Sequence, residues 1–347
     1  MSNDFRTLLR KVGSGRHTGK DLTRTEARDA TIMILQQEAT PAQIGAFLIA
    51  HRIKRPTSEE MAGMLDAYDL LGPKMESVDF GLPVVILGSP YDGRSRTAPI
   101  NPLTALILAT AGCPVIMHGG DRMPTKEGLP LIEIWQALGI QWSQLNLGQV
   151  REILAATLLG FVYLPKHFPL AQDIVPYRDQ VGKRPPFATL ELMWSPYLGK
   201  SHRVCGFVHP PTEMVMREAF AMHGVELYTT VKGSEGSCDL PRDRAAIVGL
   251  GSDRAIYSAR DYGFSAEEVP LAPTDRLAAD MLSVLAGKPS ELRQSAIWNS
   301  GFYLYRFSLC NDIESGISLA TELLDNGKVL QKLGQIEQAI QQTAMVG

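Results

Sequence analysis

Apolar positions recur at helical spacing through the first seventy residues. Ile44, Phe47 and Leu48 make one stripe and Met61, Met64, Leu65 and Tyr68 another, so these segments are predicted to be helices turning one face to a shared core. Their starts are written in the sequence. Thr23-Arg24-Thr25-Glu26, Thr40-Pro41-Ala42-Gln43 and Thr57-Ser58-Glu59-Glu60 each place a hydroxyl three residues before Glu or Gln, a pairing that satisfies two orphan donors reciprocally. Pro41 stands at a first helical position, and Gly72-Pro73 closes the last of these helices.

From about residue 80 the period changes. Short apolar runs at Val84–Leu87, Val115–Met117, Phe161–Leu164, Val204–Val208, Glu226–Val231, Ala246–Leu250 and Ala255–Ala259 predict strands. Helical patterns alternate with them at Leu103–Ala111, Leu129–Leu138, Gln149–Leu159, Met214–His223, Asp275–Leu285, Leu292–Phe307 and Ile313–Leu324. This order predicts an α/β protein with a doubly wound, mostly parallel sheet behind a small N-terminal all-helical domain. A proline-bounded helical insert around Lys183–Pro196 is expected to return to that helical unit. The expected domains are therefore 1–76 with a return near 171–196, and 77–347, joined by two crossings that form a hinge. Apolar surface on Pro41–Lys54 and Ser58–Leu71 predicts a homodimer through the small domain.

The chemistry begins after the first predicted strand. Gly88-Ser89-Pro90-Tyr91-Asp92-Gly93 and Arg94-Ser95-Arg96-Thr97-Ala98-Pro99-Ile100-Asn101-Pro102 form a loop leading into a helix, the outline of a backbone anion cradle. Pro90, Pro99 and Pro102 each remove an N–H donor from it. Recognition of an anion then falls to Ser89, Arg94, Arg96 and Thr97, which is side-chain recognition of charge.

Composition narrows the class without deciding it. A chain of 347 residues, 45% apolar, can bury a sizeable core, and its net charge of −3 with pI near 6.2 argues against a generally basic nucleic-acid coat. Cys113, Cys205, Cys238 and Cys310 lie far apart with no zinc spacing, so reduced thiols are expected. No apolar run approaches a membrane span and the N-terminus lacks a signal-like core, so a cytoplasmic protein without membrane contact is expected.

The order of parts resembles anthranilate phosphoribosyltransferase and its relatives, the class IV phosphoribosyltransferases that share a fold with the pyrimidine nucleoside phosphorylases. Leu22–Ala27, Pro41–Leu48 and His51–Lys54 are similar to the family's N-terminal helices. Ala111-Gly112-Cys113-Pro114-Val115 leading to His118-Gly119, then Val175-Pro176-Tyr177-Arg178 and Glu314–Ala320, continue the likeness. The family's motifs are only partly kept. Of its glycine-rich phosphoribosyl pyrophosphate (PRPP) loop, Gly88, Asp92 and Gly93 remain, while Pro90 and Tyr91 replace the middle glycines. Its Asn-Ile-Ser-Thr clamp falls on Pro99-Ile100-Asn101-Pro102, and its Lys-His-Gly-Asn segment becomes Met117-His118-Gly119-Gly120. Its magnesium-holding Asp-Glu pair falls on Cys238-Asp239, leaving Glu235 and Asp239 as the candidate metal carboxylates.

The resemblance implies a phosphate or polyanion site at Gly88, Ser89, Asp92, Gly93, Arg94, Arg96, Thr97 and Lys126. It implies a substrate cleft at His118, Gly119, Arg122, His167 and Arg178, with Arg178 at the position that meets the aromatic acid. Magnesium is the one cofactor it suggests. Two partner classes stay open: a phosphorylated small molecule, namely a phosphorylated ribose whose pentosyl group passes to a nitrogen acceptor other than anthranilate as pyrophosphate leaves, or nucleic acid. A divergent branch of the family, to which Lys232-Gly233-Ser234-Glu235-Gly236 is similar, binds nucleic acid in a basic inter-domain groove, and such contacts need cations and no metal.

Overall fold

The structure, a computed structural model, describes residues 3–15 and 18–346. Four helices come first: α1 (Asn3–Gly13), α2 (Arg24–Leu35), α3 (Pro41–Lys54) and α4 (Ser58–Leu71). Thr23, Thr40 and Thr57 cap the last three, each with the reciprocal backbone-to-Glu or backbone-to-Gln bond that the sequence predicts. Capping of this kind is worth about 1 kcal/mol per helix and fixes where each begins.

A seven-stranded sheet follows, in the order β3-β2-β1-β4-β5-β6-β7. The strands are β1 (Val84–Leu87), β2 (Val115–Gly119), β3 (Leu159–Tyr163), β4 (Ser201–Gly206), β5 (Tyr228–Val231), β6 (Ala246–Leu250) and β7 (Asp253–Tyr257). The first five pair in parallel, and β6 and β7 add an antiparallel edge. Helices α5 (Asn101–Thr110), α6 (Leu131–Ala137) and α7 (Leu147–Thr157) link the first three strands. The strand β2 runs two residues beyond its expected end, because His118 and Gly119 pair with Val162 and Tyr163 of β3. The expected end of β4 at Val208 is not reached. A side chain at Gly206 would meet the carbonyl oxygens of Gly236 and Ser237, so another loop already crosses there.

Between β3 and β4 the chain makes α8 (Leu164–His167), α9 (Pro169–Gln172), α10 (Val175–Val181) and α11 (Phe187–Met193). Leu164, Phe168, Ile174, Phe187 and Leu190 share one buried cluster with Phe5, Ile34, Phe47 and Leu65 of the N-terminal helices. A second cluster covers the sheet, with Ile86, Ile116, Leu106 and Trp298 among its members. After β4 come α12 (Pro210–His223), then α13 (Thr274–Leu285), α14 (Glu291–Arg306), α15 (Ile313–Asp325) and α16 (Lys328–Val346). Helix α16 is not among the helices expected from the sequence, although Val329, Leu333, Ile336 and Ile340 recur at the spacing of a buried helical stripe among its described residues.

No described helix is long and apolar enough to cross a membrane. The four cysteines are free, with Cys113, Cys205 and Cys238 buried.

Candidate functional site

The chain winds outward from β1 in one direction and from β4 in the other, so their C-terminal ends flank a topological switch point. Ligands of open α/β sheets bind in the crevice formed there. Loops after β1, β2 and β5 meet at this place. Gly93 lets the first two touch: its φ is +74°, and a Cβ on it would lie 2.4 Å from the Gly128 carbonyl carbon. Next to it Arg94 and Leu129 exchange two backbone hydrogen bonds of 3.1 and 2.7 Å.

Arg94, expected at the face of a ligand, turns inward and is 3% exposed. Its Nη1 donates to Ser237 Oγ at 2.6 Å and to Asp239 Oδ2 at 2.7 Å, and it also donates to Thr97. Asp239 Oδ2 accepts the Ile100 N–H at 3.1 Å as well.

Glu235 occupies the centre of the loop. Its Oε2 accepts from Ser95 N and Ser95 Oγ, both at 3.2 Å, and from Lys126 Nζ at 2.6 Å. Its Oε1 accepts from Arg96 N at 3.0 Å, Thr97 N at 2.9 Å and Thr97 Oγ1 at 3.0 Å. Burial alone would raise this carboxyl, but Lys126 and the Thr97 and Arg96 amides overcome it and hold it well below the usual carboxylate range. Lys126 donates a second bond, to Gly93 O at 2.8 Å.

Tyr91 fills space where the resemblance puts glycine. Buried between the two units, its hydroxyl donates to His118 Nδ1 at 2.6 Å and accepts from Trp194 Nε1 at 3.0 Å. Burial, with a smaller push from Arg203, drops His118 to about 3, so the imidazole is neutral. Its Nε2 is buried with no hydrogen-bond partner among the described residues. His167 does not reach this group. Its Nδ1 accepts the Tyr163 N–H and its Nε2 faces Leu145 O, both at 3.0 Å, so it clamps the end of β3. Ser89 accepts from Asn101, Asp92 lies 3.5 Å from Arg184, and Gly119 ends β2 against Phe161.

Arg178 is 2% exposed and faces Glu191, which is equally buried; one contact measures 3.2 Å and the other is shorter still. The pair sits beside Met123. Glu191 and Trp194 escaped the sequence reading, although a single carboxylate inside the apolar run Phe187–Met193 signals a buried partner. Arg122 lies outside the group, in a two-point contact with Glu133 at 2.7 Å.

These residues do not fit a protein-held magnesium ion. Magnesium takes hard oxygens that are free to coordinate it. Both oxygens of Glu235 and Oδ2 of Asp239 already accept from cations and amides, and no group of three or more His, Cys, Asp or Glu among the described residues is placed to hold a metal.

The family follows from comparison with known proteins. Residues 6–69 match the model of the glycosyl transferase family's helical bundle domain, and residues 93–330 match that of its a/b domain. The chain belongs to this family. Within it the chain is anthranilate phosphoribosyltransferase-like. It is 28% identical over 344 residues to anthranilate phosphoribosyltransferase of Rhodopseudomonas palustris (strain BisA53), covering 96% of this chain and 97% of that one. The Acetivibrio thermocellus protein of the same name is 28% identical over 336 residues, at 94% and 95% coverage. Among solved structures, anthranilate phosphoribosyltransferase from Saccharomyces cerevisiae in complex with PRPP and Mg superposes with a TM-score of 0.85 at 17% identity, covering 99% of both chains. The Thermus thermophilus enzyme gives 0.78 at 19% identity, covering 98% of this chain and 100% of that one.

Proposed function

We propose that this family member binds a phosphorylated pentose in the crevice between its two units and that its pentosyl acceptor is a nitrogen compound other than anthranilate. The observation carrying the reading is the oxyanion nest at Ser95–Thr97, with Lys126, set at the switch point of the sheet. Against anthranilate stands the acceptor side. Arg178, which would meet the acid, is neutralised by Glu191, and Tyr91 takes up the space of the lost glycines. The reading extends to a cytoplasmic homodimer, with Ile53 (71% exposed) and Leu70 (58%) on the small-domain helices as the self-contacting surface. It also takes residues 1–76 with the return near 171–196 as one hinged unit and 77–347 as the other.

A strain lacking anthranilate phosphoribosyltransferase tests the acceptor side. Growth without tryptophan at normal expression of this protein would overturn the reading. Assays of PRPP consumption against a panel of amines and nitrogen heterocycles test the other side, where release of pyrophosphate with one of them is the expected result.

A second reading, a non-catalytic homodimer holding nucleic acid, draws on Arg96. Its side chain is 78% exposed and lies 3.9 Å from the Glu235 carboxylate that Lys126 also meets. Binding of this kind would weaken steeply with salt, with a slope of about 0.9 per phosphate met on duplex DNA. A salt-independent affinity for DNA, or none, removes it.

A further inference from the structure

Glu235 is held the way a bound anion is held. Six donors converge on its two oxygens: three successive amides, two hydroxyls and the Lys126 ammonium, all within 3.2 Å. A carboxylate offers about four lone-pair sites, fewer than the donors pointed at it. A tetrahedral oxyanion with three terminal oxygens offers more. The charges agree with the geometry. Arg94, Arg96 and Lys126 stand 3.4, 3.9 and 2.6 Å from the carboxylate, and Asp239 offsets one of the three through Arg94. Without Glu235 two positive charges would stay unbalanced, which matches a phosphate group carrying about −1.5 to −2 at neutral pH. The backbone at Glu235 is also unusual, with φ +53° and ψ +24°, a conformation that glycine adopts freely and other residues only at a cost.

We propose that the Arg94–Thr97 loop with Lys126 is a site for a tetrahedral oxyanion, inorganic phosphate or the terminal phosphate of a phosphomonoester, which the chain's own Glu235 carboxylate occupies until such a group displaces it. The proposal deepens the phosphorylated-ligand reading above and rests on it for the identity of the physiological ligand. In energetic terms the carboxylate sets the fraction of molecules with an open site, and apparent affinity falls by that fraction.

The variant Glu235→Gly tests this, because glycine removes the carboxylate and suits the left-handed backbone. Thermal unfolding and calorimetry would be run with sodium phosphate and sodium sulfate against sodium chloride at equal ionic strength. Phosphate is expected to stabilise E235G and to bind it about tenfold or more tightly than the parent, and the added change Lys126→Ala is expected to abolish that gain. If E235G folds poorly, refolding yield in phosphate against chloride reads the same site, with rescue by phosphate expected. Equal behaviour of E235G in phosphate and chloride, folded or refolding, overturns the proposal. Titration of the parent with PRPP separates the two ideas. Binding of PRPP by the parent without a phosphate gain in E235G sinks the internal-anion proposal alone, whereas a gain in E235G with no PRPP binding by either protein sinks the phosphorylated-pentose reading alone.

Discussion

Arg94 reaches Asp239 at 2.7 Å, and that buried pair locks the loop after the first strand to the loop after the fifth. In the sequence Arg94 and Arg96 look like two equivalent loop cations. In the structure one is interior and the other is 78% exposed. Arg94→Ala strands a buried carboxylate and is expected to cost about 3–5 kcal/mol, whereas Arg96→Ala should stay within about 0.5 kcal/mol of the parent. Urea midpoints of the two variants check this. Equal midpoints would show that the pair does not hold the loops together.

Tyr91→Phe removes one hydroxyl and leaves two buried groups, Trp194 Nε1 and His118 Nδ1, without the partner they share. The expected loss is about 1–3 kcal/mol, with a shift in Trp194 fluorescence. Unchanged stability would mean that water replaces the hydroxyl and that the junction between the units is wetter than the packing implies.

Arg178 and Glu191 form a buried ion pair on helices that pack into the cluster shared with the N-terminal helices. Removing either partner alone should cost about 3–5 kcal/mol, while Arg178→Met with Glu191→Leu should cost much less than the two single changes together. A double-mutant cycle in urea reads the coupling. Additive single effects would place the two groups in independent environments.

Most of the fold was legible because it depends on local rules. Capping boxes at Thr23, Thr40 and Thr57 set helix starts within a residue, and β-rich apolar runs located all seven strands with ends displaced by a few positions. The site was less legible, since its meaning lies in contacts between residues far apart in sequence. Nothing local says that Glu235 will fold back onto amides at Ser95–Thr97, or that Arg178 will find Glu191. Exposure also cannot be read from residue type: Arg94 and Arg96 differ only in the direction each side chain leaves the loop.

Acid should weaken the fold through its buried imidazoles. Burial, reinforced by a nearby arginine in each case, drops His118 and His202 to about 3. An unfolded histidine binds its proton near pH 6.5, so stability is fully present above that value and is lost as pH falls from it toward 3. Each group contributes a slope of up to about 1.4 kcal/mol per pH unit in that window. Glu60 adds to the slope lower down: burial would raise it, but His51, Lys54 and the Leu22 N–H pull it to about 2, so its share is lost between about pH 4.5 and 2. Urea midpoints between pH 7.5 and 4.5 should show His202→Gln with a shallower dependence than the parent. Identical slopes would mean that His202 titrates normally in the fold.

One titration of the parent protein with PRPP in magnesium buffer containing anthranilate, recording binding heat and anthranilate fluorescence together, separates donor binding from anthranilate transfer. A phosphorylated-pentose site without anthranilate transfer gives saturable heat from PRPP with the anthranilate signal unchanged. Steady loss of anthranilate, or no PRPP heat at all, would contradict it.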